Sequence, residues 1–245
     1  MRLEPPSVRA RSALLPPALF ALIAALVAGG WGPLHTLDRT VTARLHEAAH
    51  AGPALTTAMT WLTNLFQPNV FRLAALILVI WLLRKGARRT AAWVATTMIA
   101  GGLLGALLKL VFLRDRPDFP DPVSSAAGYA FPSGHALNAV LGVAVFVMIF
   151  PRLWALWVIP PVTALTRVHL GVHWTSDVVA GLLLGVAVVL ASRWAFFRYG
   201  HEKSPVHPAT HAEHRTVQRP PGRMRPSPAT APPRAHRPPE PAPED

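Results

Sequence analysis

Apolar residues gather in six runs along the chain: Ala13–Trp31, Phe71–Leu83, Ala91–Leu113, Ala136–Phe150, Leu153–Leu170 and Val178–Phe197. A helix rises about 1.5 Å per residue and bilayer hydrocarbon is about 30 Å thick, so a spanning helix takes about 20 residues. Three runs reach that length, and the other three reach it when flanking polar residues join the helix. The pattern predicts an all-α, integral-membrane bundle of six spans. A shorter run, Thr56–Phe66, is threonine-rich and closed by Gln67–Pro68. It reads as interfacial or as an extension of the second span. Leu34, Leu37, Val41 and Leu45 recur at spacings of three and four before Gly52–Pro53, which predicts an amphipathic helix over 34–51 in the outer interface. Arg2, Arg9 and Arg11 precede the first run as they would precede a secretory signal. That run is long for a signal, and Pro16–Pro17 suit a helix start, so an uncleaved first span is expected.

Composition agrees with the pattern. Of 245 residues, 51% are hydrophobic and only 15% charged, which excludes a soluble polar or disordered protein. Cysteine is absent, which excludes disulfides, thiolate metal sites and cysteine nucleophiles. The net charge of +12 is distributed as a membrane protein distributes it, and no nucleic-acid partner is expected. Arg84, Lys85, Arg88 and Arg89 crowd one loop and Arg152 marks another. With six spans, both lie on the side of the N-terminal arginines and the basic C-terminal end. The positive-inside rule puts that side in the cytoplasm. The connections 32–70, 114–135 and 171–177 then face outward. Three regions are expected: a cytoplasmic N-terminus (1–12), the six-span domain (13–197) and a disordered cytoplasmic tail (198–245). The last fifty residues hold 12 of the 26 prolines and no apolar period.

Ionisable residues within or beside spans are functional candidates. Lys109, one of three lysines in the chain, sits near the end of the third run, and Arg116–Pro117 follows. Pro132–Ser133–Gly134–His135 opens the fourth, where Ser133 suits an N-cap and the first-turn N–H groups form an anion site. Thr166, Arg167, His173 and Asp177 form a third cluster. His173 and Asp177 are four apart, so one helical turn places them on one face. A carboxylate on Nδ1–H leaves Nε2 as an outward lone pair. Under six spans all three clusters reach the outer membrane edge, where two guanidinium groups, an ammonium, a helix N-terminus and two histidines make an oxyanion pocket. Phosphoryl transfer needs such an arrangement of cations, nucleophile and acid. His173 would attack phosphorus and His135 would protonate the leaving oxygen, then activate water. Lys109, Arg116 and Arg167 would neutralise the phosphate, so no metal or other cofactor is expected. The three cations would also repel a divalent ion from His135, His173 and Asp177.

These clusters read K-x6-R-P, P-S-G-H and T-R-x5-H-x3-D. The chain resembles the type 2 phosphatidic acid phosphatase and haloperoxidase superfamily, in its six-span membrane branch. The resemblance implies His173 as nucleophile, Asp177 as its partner and His135 as acid–base group. It implies Lys109, Arg116, Ser133, Gly134 and Arg167 as phosphate ligands. Thr166 departs from the family's usual serine, keeps the hydroxyl, and stays a lesser candidate. Implied substrates are lipid phosphates such as phosphatidic acid, phosphatidylglycerophosphate or undecaprenyl diphosphate, cleaved at the outer face of the cell membrane. A lipid phosphotransferase and a non-enzymatic lipid-phosphate binder or transporter are the alternatives. His46–Glu47–Ala48–Ala49–His50 spells the H-E-x-x-H of zinc proteases. Gly52–Pro53 ends its helix at once and no third ligand is evident in sequence, so it reads as two interfacial polar residues.

Overall fold

The structure, a computed structural model, describes residues 6–198, with side chains for 13–197. Residues 1–5 and 199–245 lie outside the described residues, and with them almost all of the expected tail. The described residues form eight α-helices and one 3-10 helix, with no strand among them. In order they are α1 (Pro6–Ala28), α2 (Gly32–Ala51), α3 (Pro53–Leu65), α4 (Pro68–Arg84), α5 (Arg88–Phe112), α6 (Gly134–Ile149), the 3-10 helix Pro151–Val158, α7 (Ile159–His169) and α8 (Thr175–Arg198). Proline opens α2, α3, α4, the 3-10 helix and α7. Its missing N–H costs nothing in a first turn, and its fixed φ suits the helix.

Three stretches are long and apolar enough to cross a membrane: Pro53–Arg84, Arg88–Phe112 and Thr175–Phe197. The first joins α3 to α4 over 32 residues, so Thr56–Phe66 extends the span that follows it. Ala13–Ala28 and Gly32–Ala51 pass together as a fourth, broken by a 94° bend. α6 is shorter and lies at the centre. Every residue from Ala136 to Val145 is buried, among α4, α5, α7 and α8. A helix apolar on all sides belongs inside other helices. Phe71, Leu78 and Leu82 of α4, Val94 and Met98 of α5, and Leu184 of α8 surround its Leu137, Leu141 and Val145. Outside that core, Leu73, Leu76, Ile77, Leu103, Leu107 and Leu110 stand exposed on α4 and α5. Such a belt faces lipid, and the backbone polar groups beneath it are paired within helices, as a bilayer requires. The chain is a membrane protein.

Helix α2 departs from the expected pattern. Its buried stripe is Asp38, Thr42, His46 and Ala49, at spacings of four and three, while Leu37 is exposed. Asp38 turns inward because buried partners await it, Ser176 on α8 and Arg114 on the loop 113–133.

Candidate active site

The ends of four helices converge at one end of the bundle. Lys109 comes from the last turn of α5, and its ammonium donates to the carbonyls of Tyr129 and Ala130. Arg116 lies on the loop 113–133, drawn inward by carbonyls on both sides. It donates from Nε to Gly128 O at 2.8 Å and from Nη1 to Val172 O at 2.6 Å. Ser133 and Gly134 open α6, Arg167 closes α7, and the turn 170–174 carries His173 to the start of α8. Gly171 makes that turn at φ +67°, where Phe119 and the His46 ring would crowd a Cβ at 3.2–3.3 Å.

His173 sits between Asp177 and Arg116. Nδ1 is 3.3 Å from Asp177 Oδ2 and Nε2 is 3.2 Å from Arg116 Nη1. A guanidinium can only donate, so Nε2 holds the lone pair and Nδ1 the proton directed at Asp177. Burial pushes the His173 pKa well below 6.5, and the positive charges of Arg116, Arg167 and Lys109 push it further. The ring is therefore neutral, its Nε2 lone pair aimed at the cationic side of the site. His135, half-buried in the first turn of α6, lies within electrostatic reach of Arg167, His173, Arg116 and Lys109.

Two of the predicted anion ligands have buried polar atoms without a partner, Ser133 Oγ and Arg167 Nε. Buried polar groups are otherwise almost always paired. Ser133 caps α6 through its backbone position alone, and its N–H donates to Asp177 O at 2.9 Å. Arg167 Nη1 donates to Thr63 Oγ1 at 3.0 Å. A Cβ at Gly134 would meet no heavy atom within 4 Å, so the helix N-terminus there is open. Together these groups suit a tetrahedral oxyanion. Thr166 does not join them: it is fully buried, and its hydroxyl donates to Thr163 O at 2.7 Å within its own helix.

Sequence reading misses a supporting layer. Arg114 donates from Nη1 to Asp177 Oδ1 at 2.6 Å and from Nη2 to Asp38 Oδ2 at 2.7 Å. Asp38 also accepts from Ser176 N–H at 2.8 Å and from the Ser176 hydroxyl at 2.6 Å. Asp38 is 1% and Asp177 0% exposed, so one guanidinium holds two buried carboxylates. Trp174 N–H donates to Asp177 Oδ2 at 2.9 Å. Every oxygen of the carboxylate facing His173 is thus fixed.

The profile of the PAP2 superfamily matches residues 90–200. The Escherichia coli (strain K12) protein YbjG is 31% identical over 145 residues, covering 55% of this chain and 70% of that one. The chain belongs to the PAP2 superfamily. A lipid A 1-phosphatase from Rhizobium etli is 36% identical over 124 residues, which is 44% of this chain. The chain spans 51% of the length of that relative. Among solved structures, a transmembrane PAP2 type phosphatidylglycerolphosphate phosphatase from Bacillus subtilis superposes with a TM-score of 0.66 at 21% identity. That match covers 79% of this chain and 98% of the other. The helical arrangement is therefore a PAP2 fold. The profile begins in α5 and runs through α8, so it takes in all three motif clusters but neither α2 nor Asp38.

Proposed function

We propose that the chain is an integral-membrane lipid phosphatase that cleaves a phosphate monoester or diphosphate of a lipid through a phosphohistidine. The carrying observation is His173, held between Asp177 and Arg116 with Nε2 as its lone-pair nitrogen. Phosphate oxygens take the donors of Lys109, Arg116, Arg167, Ser133 and the N–H groups at Gly134. Arg116 thereby turns from His173 to the phosphate and frees Nε2. Nε2 forms a bond to phosphorus as the bond to the lipid oxygen breaks, and His135 supplies the proton for that oxygen. Asp177 opposes the charge gained by the imidazole. Water, deprotonated by His135, then displaces His173 and releases inorganic phosphate. The residues supply every charge and proton the cycle needs, so no metal takes part in it.

The substrate class rests on lipid A 1-phosphate and phosphatidylglycerolphosphate, named for the relatives, and on the lipid-facing belt. The bundle is read as six spans: α1, α3–α4, α5, α6, the 3-10 helix with α7, and α8. Lys109, His135, Arg167, His173 and Asp177 all lie at one end of these spans. Arg84, Lys85, Arg88, Arg89 and Arg152 lie at the other. The positive-inside rule makes the second end cytoplasmic, with both termini, and the site extracytoplasmic.

The test is phosphate release by the purified protein in excess chelator, from phosphatidic acid, phosphatidylglycerophosphate and undecaprenyl diphosphate. Release is expected from at least one, with none from His173→Ala. Acid quenching during turnover of ³²P-labelled lipid should fail to preserve a protein label that alkaline quenching preserves. Release by His173→Ala overturns the mechanism. Label appearing on a second lipid instead of in water assigns phosphotransfer, and lipid movement without release assigns transport.

A further inference from the structure

The H-E-x-x-H run of α2 gains in the fold what it lacks in sequence. His46 and His50, one turn apart, bring their Nε2 atoms to 3.2 Å. Asp121, on the loop 113–133, closes the triangle. Its Oδ1 is 3.3 Å from His46 Nε2 and its Oδ2 is 3.3 Å from His50 Nε2. Among the described residues, this set alone of three or more histidine and carboxylate side chains brings one ligand atom from each within 4.8 Å. A tetrahedral cation with bonds of about 2.0–2.1 Å holds its ligand atoms about 3.3 Å apart. The two Nε2 atoms stand about that far apart, and so does each of them from its nearest Asp121 oxygen, Oδ1 for His46 and Oδ2 for His50.

Protons satisfy this arrangement poorly. His46 Nε2 faces His50 Nε2 and an Asp121 oxygen, while His50 Nε2 also lies 3.0 Å from Asp121 O. If each Nε2 carries a proton toward Asp121, neither nitrogen can accept from the other across their 3.2 Å approach. One cation at the centre takes both lone pairs and the carboxylate together. The His46 ring is set in place, 6% exposed and stacked on Phe119 with ring centroids 3.8 Å apart. His50 and Asp121 are open to solvent at 42% and 69%, which leaves a route for an ion and room for a water as fourth ligand.

We propose that His46, His50 and Asp121 form a site for one divalent transition-metal cation of the zinc class. Two imidazoles and one carboxylate favour such an ion over magnesium or calcium, which take oxygen ligands. The cation fastens the loop 113–133 to α2. Both elements border a cavity of about 220 Å³ that His46 shares with Arg116, Phe119 and Gly171. The ion thus braces the segment carrying Arg116 and takes no part in phosphoryl transfer.

The test uses the full chain, purified without a polyhistidine tag, stripped with chelator and titrated with Co²⁺. One equivalent is expected to give the visible absorption of a tetrahedral site, and Zn²⁺ should displace it. His50→Ala and Asp121→Asn alter solvent-facing side chains and should melt with wild type in chelator. Each should weaken binding about tenfold or more. A variant with His201, His207, His211, His214 and His236 changed to Gln should keep the band, since the proposed ligands are His46, His50 and Asp121 alone. Zn²⁺ should also slow proteolysis of the loop in wild type alone. The proposal is overturned by an unchanged band in His50→Ala and Asp121→Asn, by its loss in the five-histidine variant, or by no band at saturating Co²⁺. Loop cleavage indifferent to Zn²⁺ overturns the bracing role.

Discussion

At His173, two neighbours decide the chemistry: a guanidinium that can only donate and a carboxylate that can only accept. An ordinary imidazole is half protonated at pH 6.5. His173 is expected to stay neutral and Nδ1-protonated there, because burial and then the Arg116 charge depress its pKa. ¹⁵N-histidine spectra of the protein in micelles read this directly, and an imidazolium signal for His173 at that pH contradicts it. The same shift has a stability consequence. As pH falls below 6.5 the unfolded chain takes the proton before the folded one does, so stability present above 6.5 is lost below it. Arg114 supports the second prediction. Arg114→Lys keeps a charge but cannot reach Asp38 and Asp177 with two separate nitrogens. It should lower kcat about 10–100-fold with little change in KM, as expected when an orienting contact behind a reacting group is lost. Arg114→Ala, leaving two buried carboxylates unpaired, should cost about 3–5 kcal/mol of stability as well. An Arg114→Lys enzyme with raised KM and unchanged kcat would place Arg114 in substrate binding instead. The motif residues were readable because their types and spacing carry the chemistry. Asp38 and Arg114 were not, because their link spans 76 residues and neither has a local signature. In retrospect, the acid-led stripe Asp38, Thr42, His46 at spacings of four hints at a polar face turned inward.

Between elements, the contact of α8 with α6 fixes the site, since Ser133 N–H binds Asp177 O only if the two helices touch. Gly181 permits the approach. A Cβ there would stand 2.6 Å from Ser133 O and 3.1 Å from Ala136 Cβ. Gly181→Val should push the helix N-termini apart, costing about 1–3 kcal/mol from overpacking. Phosphate release should fall by about tenfold or more, as a small displacement of catalytic groups does elsewhere. Gly102, in α5, has no heavy atom within 4 Å of an added Cβ. Gly102→Ala should keep activity and gain about 0.5–1 kcal/mol from helix propensity. Melting temperature and phosphate release of the two variants, measured side by side, separate close approach from a general dislike of side chains. Equal activity in Gly181→Val would remove the α6–α8 contact from the argument. At this scale the apolar runs predicted helices well, since period and length reside in local sequence. They left open whether Thr56–Phe66 is interfacial or continues into α4, and they did not predict that Pro151 opens a 3-10 segment before α7. Both depend on what packs alongside.

For the molecule as a whole, the question is which end of the bundle faces out. The charge pattern gives an answer that the helices alone do not, because a helix crosses equally well in either direction. Arg84, Lys85, Arg88 and Arg89 gather between α4 and α5, while the loop 113–133 lies at the far end of α5. The chain has no cysteine, so each introduced cysteine is a clean reporter. Ser125 and Lys85 are both exposed at opposite ends of α5, and neither contributes to the proposed catalytic set. In intact cells a membrane-impermeant maleimide should label Ser125→Cys and leave Lys85→Cys unlabelled until lysis. Ser7→Cys and Ser227→Cys report the two ends of the chain, and six spans require both to behave like Lys85→Cys. Labelling of Ser227→Cys but not of Ser7→Cys in intact cells would mean an odd number of crossings and would overturn the six-span reading. Labelling of Lys85→Cys but not Ser125→Cys would invert the protein, and His173 would then meet lipid phosphates of the cytoplasmic leaflet. The order of motifs and the geometry at His173 would survive that inversion, but the pool of substrates would not.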